Sequence, residues 1–231
     1  VPGICLGQRL AQATSISYRD AVLWIIEAAK ALVYAHNKGV LHLDVKPANI
    51  LLQGDVLSKG PERILLTDFG LALRDDQRLR RGRDTSGTPA FMSPEQARGE
   101  TDRIGAWTDV YGLGATLYTI LAGKPPFRGS NREILEQVEK MSMTPPSLRS
   151  LDSNIPEELE RICAKALSKQ PSERYATPQD MLDELREFLR AGDQLPAPGT
   201  GGGPGREPAK IVPKGLRPFD NDDADFFLRL V

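Results

Sequence analysis

Apolar positions recur at helical spacing early in the chain. Val22, Ile25, Ile26, Ala29, Leu32 and Val33 mark one face of a helix over about 18–38, which Asn37 and Gly39 close. Short apolar runs at Ile50–Leu52 and Ile64–Leu66 read as two strands of a small β-hairpin. The polar loop between them, Gln53 to Arg63, is long for such a turn. From 71 to 104 the periodicity fades, and arginines crowd between Arg74 and Arg83, which predicts an extended surface loop. Trp107 to Leu121 is apolar on nearly every side and predicts a helix buried at the centre of a mainly α domain. Amphipathic helices follow at about 131–141, 156–168 and 178–190. Pro156 and Pro178 stand at helix starts, where a missing N–H costs nothing. Trp107 and Phe127 read as core.

The pattern then stops. Residues 192–213 are crowded with proline and glycine, including Gly201-Gly202-Gly203-Pro204, and cannot bury enough apolar surface to offset their ordering entropy. They read as a flexible linker between a domain over 1–191 and the start of another over 214–231. In the latter, Asp220 or Asn221 would cap a carboxylate-rich helix start before Phe226-Phe227-Leu228.

Composition narrows the classes. The chain has 231 residues, 40% of them hydrophobic and 26% charged, as expected of a globular protein. A formal net charge of −1 leaves no overall electrostatic footprint for nucleic acid or membranes. No apolar run reaches the roughly 18–20 residues that span a bilayer. No signal peptide is visible, so a cytoplasmic location is expected. Cys5 and Cys163 lie far apart without metal spacing and read as reduced, buried thiols. The start at Val1 rather than Met predicts a piece of a longer protein.

The chemistry concentrates in His42-Leu43-Asp44-Val45-Lys46-Pro47-Ala48-Asn49 and, downstream, Asp68-Phe69-Gly70. One carboxylate can orient a hydroxyl, a lysine can neutralise phosphate charge, and two oxygen-bearing side chains can hold a hard cation that bridges phosphates. Three further stretches stand in order: Gly87-Thr88-Pro89-Ala90-Phe91-Met92-Ser93-Pro94-Glu95, Thr108-Asp109-Val110-Tyr111-Gly112-Leu113-Gly114 and Pro171-Ser172-Glu173-Arg174-Tyr175. Together the five resemble the C-terminal lobe of a eukaryotic-like, bacterial Hanks-type Ser/Thr protein kinase, over residues 1 to about 190.

That resemblance implies a protein-kinase-like helical fold and transfer of the ATP γ-phosphoryl to Ser/Thr hydroxyls of a protein substrate, with Mg²⁺. It implies Asp44 as the base or orienter and Lys46 as the group on the γ-phosphate. Asn49 and Asp68 become the Mg²⁺ ligands. His42, Gly70, Thr88, Glu95, Asp109 and Arg174 take structural roles. Glu95 pairs with Arg174, Asp109 bonds the backbone of the catalytic loop, and Thr88 bridges Asp44 and Lys46. Thr85 and Ser86 are candidate phosphosites. The family's small lobe, with its Gly-rich loop, strand lysine and helix glutamate, cannot be placed upstream of the first helix. Val1-Pro2-Gly3 resembles only the end of the hinge. The chain alone is therefore expected to bind ATP poorly and to need that lobe in cis.

Leu43 departs from the pattern, which has Arg there to bind an activation-loop phosphate. Leu makes no charge-assisted bond. The readings are an enzyme that needs no such phosphate, which the presence of Asp44, Lys46, Asn49 and Asp68 favours, or a pseudokinase scaffold that docks partners. Finally, Lys214 to Phe219 with Asp223 to Phe227 is similar to the entry segment of STAND-class NTPase domains, without a Walker A motif.

Overall fold

The computed structural model describes residues 3–12, 16–54, 63–69, 73–74 and 88–194. Gly70, Thr85, Ser86, the arginines between 78 and 83, the Pro/Gly-rich stretch beyond Gln194 and the 214–231 segment lie outside the described residues.

The chain enters through β1 (Gly3–Cys5) and α1 (Leu6–Gln12). The long helix α2 (Tyr18–Asn37) follows. Ser17 caps it by accepting from the Asp20 amide at 3.0 Å, and Gly39 leaves it at φ 72°. Its face of Val22, Ile25, Ile26, Ala29 and Leu32 is buried. β2 (Val40–Leu41), β3 (Ile50–Gln53), β4 (Arg63–Leu66) and β5 (Leu73–Arg74) come next. The expected hairpin β3–β4 is present, with Ile50 opposite Leu66, but it is not alone. β1 adds antiparallel to the other edge of β3, and β2 pairs with β5. A three-residue strand and a seven-residue helix carry too few apolar positions to show a period, so β1 and α1 escape a reading by pattern.

The stretch read as a surface loop to 104 is corrected by the structure. Its second half folds into α3 (Pro94–Ala97) between two turns, with Ser93, Pro94, Glu95 and Ala97 buried. The cause is a capping box. Ser93 Oγ accepts from the Gln96 amide at 3.3 Å, and Gln96 Oε1 accepts from the Ser93 amide at 3.1 Å.

Helix α4 (Ala106–Ala122) is buried from Thr108 to Ile120, as its all-round apolarity requires. It packs on α2, α7 (Glu157–Ala166) and α8 (Pro178–Gln194). At Gly112 the loop between β2 and β3 comes so close that an added Cβ would meet Val45 Cβ at 2.8 Å. Phe127 is buried, but Trp107 is only half-buried: its Nε1 donates to the Arg103 carbonyl at the surface. Helix α5 (Asn131–Glu139) rests on α3 through Ala97, Phe127, Ile134 and Val138. The short α6 (Leu148–Leu151) precedes α7. Helix α8 runs on to Gln194, past the expected boundary at 191. Cys163 is buried, but Cys5 is half-exposed. Among the described residues no helix is long and apolar enough to cross a membrane.

One buried ion pair ties α3 to the turn before α8. Arg174 Nη1 and Nη2 donate to Glu95 Oε1 and Oε2, both at 2.8 Å, with the two side chains 0% and 1% exposed. The remaining guanidinium hydrogens reach the Ser168, Trp107 and Lys169 carbonyls at 2.7, 3.2 and 3.1 Å. Thr108 Oγ donates to Glu95 at 2.9 Å. Burial pushes the Glu95 carboxyl up, but Arg174 and these hydrogen bonds pull it below its ordinary value overall.

Removing the guanidinium strands a buried carboxylate, so Arg174→Leu should lower stability by about 3–5 kcal/mol in urea unfolding. The sign of the pH effect follows from the depressed folded pKa. The pair's contribution is complete above the unfolded carboxylate value of about 4.3 and fades as pH falls through the lower folded value. Acid unfolding of wild type and Arg174→Leu should therefore converge as pH drops.

Candidate active site

Three elements bring the predicted side chains together: the loop between β2 and β3, the residues after β4, and the segment before α3. Lys46 Nζ lies 2.6 Å from Asp44 Oδ2 and 2.9 Å from Thr88 Oγ. Lys46 is thus the bridging group, rather than Thr88. Asn49 Nδ2 donates to the Asp44 carbonyl at 2.9 Å and to Asp44 Oδ2 at 3.1 Å. Asp44 is 9% exposed, held by two donors and still open to solvent. With its NH₂ occupied, Asn49 can offer a cation only its Oδ1.

The Thr67 amide and hydroxyl both donate to the Asn49 carbonyl, at 2.8 and 3.2 Å. That pairing sets the exposed Asp68, at φ 64°, beside the loop. A left-handed non-glycine residue is uncommon, and this one turns the chain out of β4. Phe69 follows and lies against the His42 ring, with centroids 4.5 Å apart. The oxygen donors of Asn49 and Asp68 suit a hard cation such as Mg²⁺, which is bound by one or two carboxylates plus phosphate oxygens.

His42 is fully buried. Desolvation pushes its pKa down, so the ring is neutral. Its Nε2 meets the Thr67 carbonyl at 3.0 Å and its Nδ1 accepts from the Asp44 amide at 3.2 Å, which fixes the proton on Nε2. Asp109, in the first turn of α4, accepts from the His42 amide at 2.9 Å and the Leu43 amide at 2.7 Å. Burial pushes the Asp109 carboxyl up, but bonds from His36 and the loop backbone bring it below its ordinary value.

Two further residues belong to this assembly and have no part in the sequence reading. His36 Nε2 lies 2.7 Å from Asp109 Oδ2. It occupies the last turn of α2. Gln96 Nε2 donates to the Leu43 carbonyl at 2.8 Å. The Ser-x-x-Gln spacing of Ser93 and Gln96 is the sequence signal that could have found the cap, but nothing local signals the reach of Gln96 to Leu43.

Leu43 stands at φ 66° and is 7% exposed, packed with Leu41 and Ile104. Here the side chain is part of a small apolar cluster.

The profile of the family described as "Protein kinase domain" matches residues 1–185. The chain belongs to the protein kinase domain family. Its kinase domain is 37% identical over 189 residues to the serine/threonine-protein kinase PknB of Mycolicibacterium smegmatis, covering 80% of this chain and 29% of that protein. It is 36% identical over 170 residues to PknB of Mycobacterium leprae, covering 72% and 26%. With a probable serine/threonine-protein kinase PknB of Bifidobacterium longum it shares 32% over 183 residues, covering 77% and 25%. The chain spans less than a third of the length of each of these relatives.

A guanidinium at position 43 would put a charge into the apolar contact that Leu43 makes with Leu41 and Ile104. Leu43→Arg should cost about 2–3 kcal/mol in urea unfolding, while the near-isosteric Leu43→Met should cost under about 1.5 kcal/mol.

Proposed function

We propose that the protein carrying this chain is a Ser/Thr protein kinase that transfers the γ-phosphoryl group of ATP to hydroxyls of a protein substrate. The observation that supports this most is the Asp44–Lys46–Thr88 chain at 2.6 and 2.9 Å, with Asn49 donating to the same carboxylate. Asp44 accepts the proton of the attacking hydroxyl and aims its oxygen. Lys46 sets a positive charge beside it, where phosphoryl charge accumulates. Thr88 ties the pair to the segment that would carry the substrate peptide. Asn49 and Asp68 would hold Mg²⁺, which supplies neutralisation of the phosphate oxygens. The chain's own part is positioning and fixed charge.

The scaffold reading has no support in this geometry. Loss of catalysis would be expected to disturb the set around Asp44, and that set is intact. The apolar burial of Leu43 favours a catalytic loop shaped without an activation-loop phosphate. Residues 214–231 would lead into a second, NTPase-like domain, and the whole would act in the cytoplasm.

In the intact protein with Mg-ATP and a Ser/Thr-containing protein substrate, Asp44→Ala should lower kcat by about 10²–10⁴-fold with the fold retained. Thr85→Ala/Ser86→Ala should change it less than about tenfold, since Leu43 offers no charge-assisted bond to a phosphate. Wild-type turnover in Asp44→Ala would remove the basis of the assignment.

A further inference from the structure

Gln96 sits between the two halves of the site and is used at both ends of its side chain. Its Oε1 accepts from the Ser93 amide at 3.1 Å, which fixes the orientation of the amide group. Its Nε2 then points at the Leu43 carbonyl, 2.8 Å away. That carbonyl belongs to the peptide unit whose N–H is Asp44's, and this N–H donates to His42 Nδ1 at 3.2 Å. The plane of the peptide entering Asp44 is thus gripped on both edges, by Gln96 and by His42. The residue before it, Leu43, is left-handed at φ 66° and has its own N–H held by Asp109 at 2.7 Å. A left-handed leucine persists only where its surroundings over-determine it.

We propose that Gln96 is a positioning residue for the phosphoryl transfer, coupling the segment from Thr88 to Ala97 to the orientation of Asp44. The inference rests on the kinase reading above. Two contacts join the same two segments: Lys46 to Thr88 holds the side chain next to Asp44, and Gln96 to Leu43 holds the backbone before it. A shift of α3 would move the first through a flexible lysine, but would move the second through a peptide plane. Gln96 is therefore the stiffer of the two links, and the one that transmits the placement of the substrate-bearing segment to Asp44.

Gln96→Glu separates this role from the cap. The carboxylate keeps the length and the acceptor for Ser93, but it sets an oxygen against the Leu43 carbonyl. In the intact protein, Gln96→Glu at pH 8 should lower kcat at least about tenfold, with KM for Mg-ATP within about twofold of wild type and an unchanged melting temperature. Hydrogen exchange supplies a readout that does not depend on turnover. The peptide spanning 41–46 should exchange several-fold faster in Gln96→Glu, while the peptide spanning 110–118 stays as in wild type. Unchanged exchange at 41–46 overturns the inference. So does wild-type kcat in Gln96→Glu. If wild type transfers no phosphate but the exchange difference is present, it is the kinase reading that fails and the coupling that stands.

Discussion

Everything functional in this domain hangs on one buried carboxylate. Asp109 has its charge inside the protein, at the start of the most buried helix, and it is stable there because three donors converge on it: the His42 amide, the Leu43 amide and the His36 ring. An unpaired charge in that place would be prohibitive. The bonds that make it tolerable are the same bonds that force the loop into its shape. Stability of the core and geometry of the site are therefore one constraint. Helix α4 can serve as the anchor because it is packed against α2, α7 and α8.

The second anchor is Glu95 with Arg174, and it works at the other side of the site. It fixes α3 against the turn before α8, and α3 in turn presents Gln96 to the loop. Thr108 completes the connection: its hydroxyl donates to Glu95 and accepts from the Gly105 amide at 3.0 Å, at the start of the helix that carries Asp109. The segment of α3 and the loop before Asp44 are thus braced on adjacent residues, Thr108 and Asp109, in the first turn of one helix. Lys169 extends the bracing to α5. Its Nζ donates to the Gln137 and Val138 carbonyls at 2.8 Å each, satisfying orphan groups at that helix's end, and it lies over the Phe127 ring.

How much of this could be read from sequence depended on length and locality. The helix from Tyr18 and the one from Ala106 declare themselves, because long apolar faces leave a strong period. The meeting of Asp44, Lys46 and Asn49 was also legible, since they sit in a short motif whose spacing is the signal. β1, α1 and α3 were not, because each is shorter than the window that shows a period. Periodicity alone gave a surface loop around Glu95 for the same reason, although the family resemblance had paired Glu95 with Arg174 in the interior, as found. His36 and Gln96 failed to appear because their roles exist only between elements. They lie 73 and 53 residues from the partners they bond. Trp107 shows the opposite error: a large aromatic was taken for core, but the indole spans the rim and bonds to a surface carbonyl.

Leu43 gives the catalytic loop a grip of unusual physical character. Where a guanidinium would hold a phosphate by charge, the side chain at this position makes contact with Leu41 and Ile104. Such contact has no field to screen, so salt acts on it only through exclusion of ions from apolar surface. Its driving force near room temperature is the entropy of released water, which weakens on cooling. This part of the loop's hold is consequently weakest in the cold and is tightened by a salt excluded from apolar surface, while the bonds to Asp109 hold the backbone beside it.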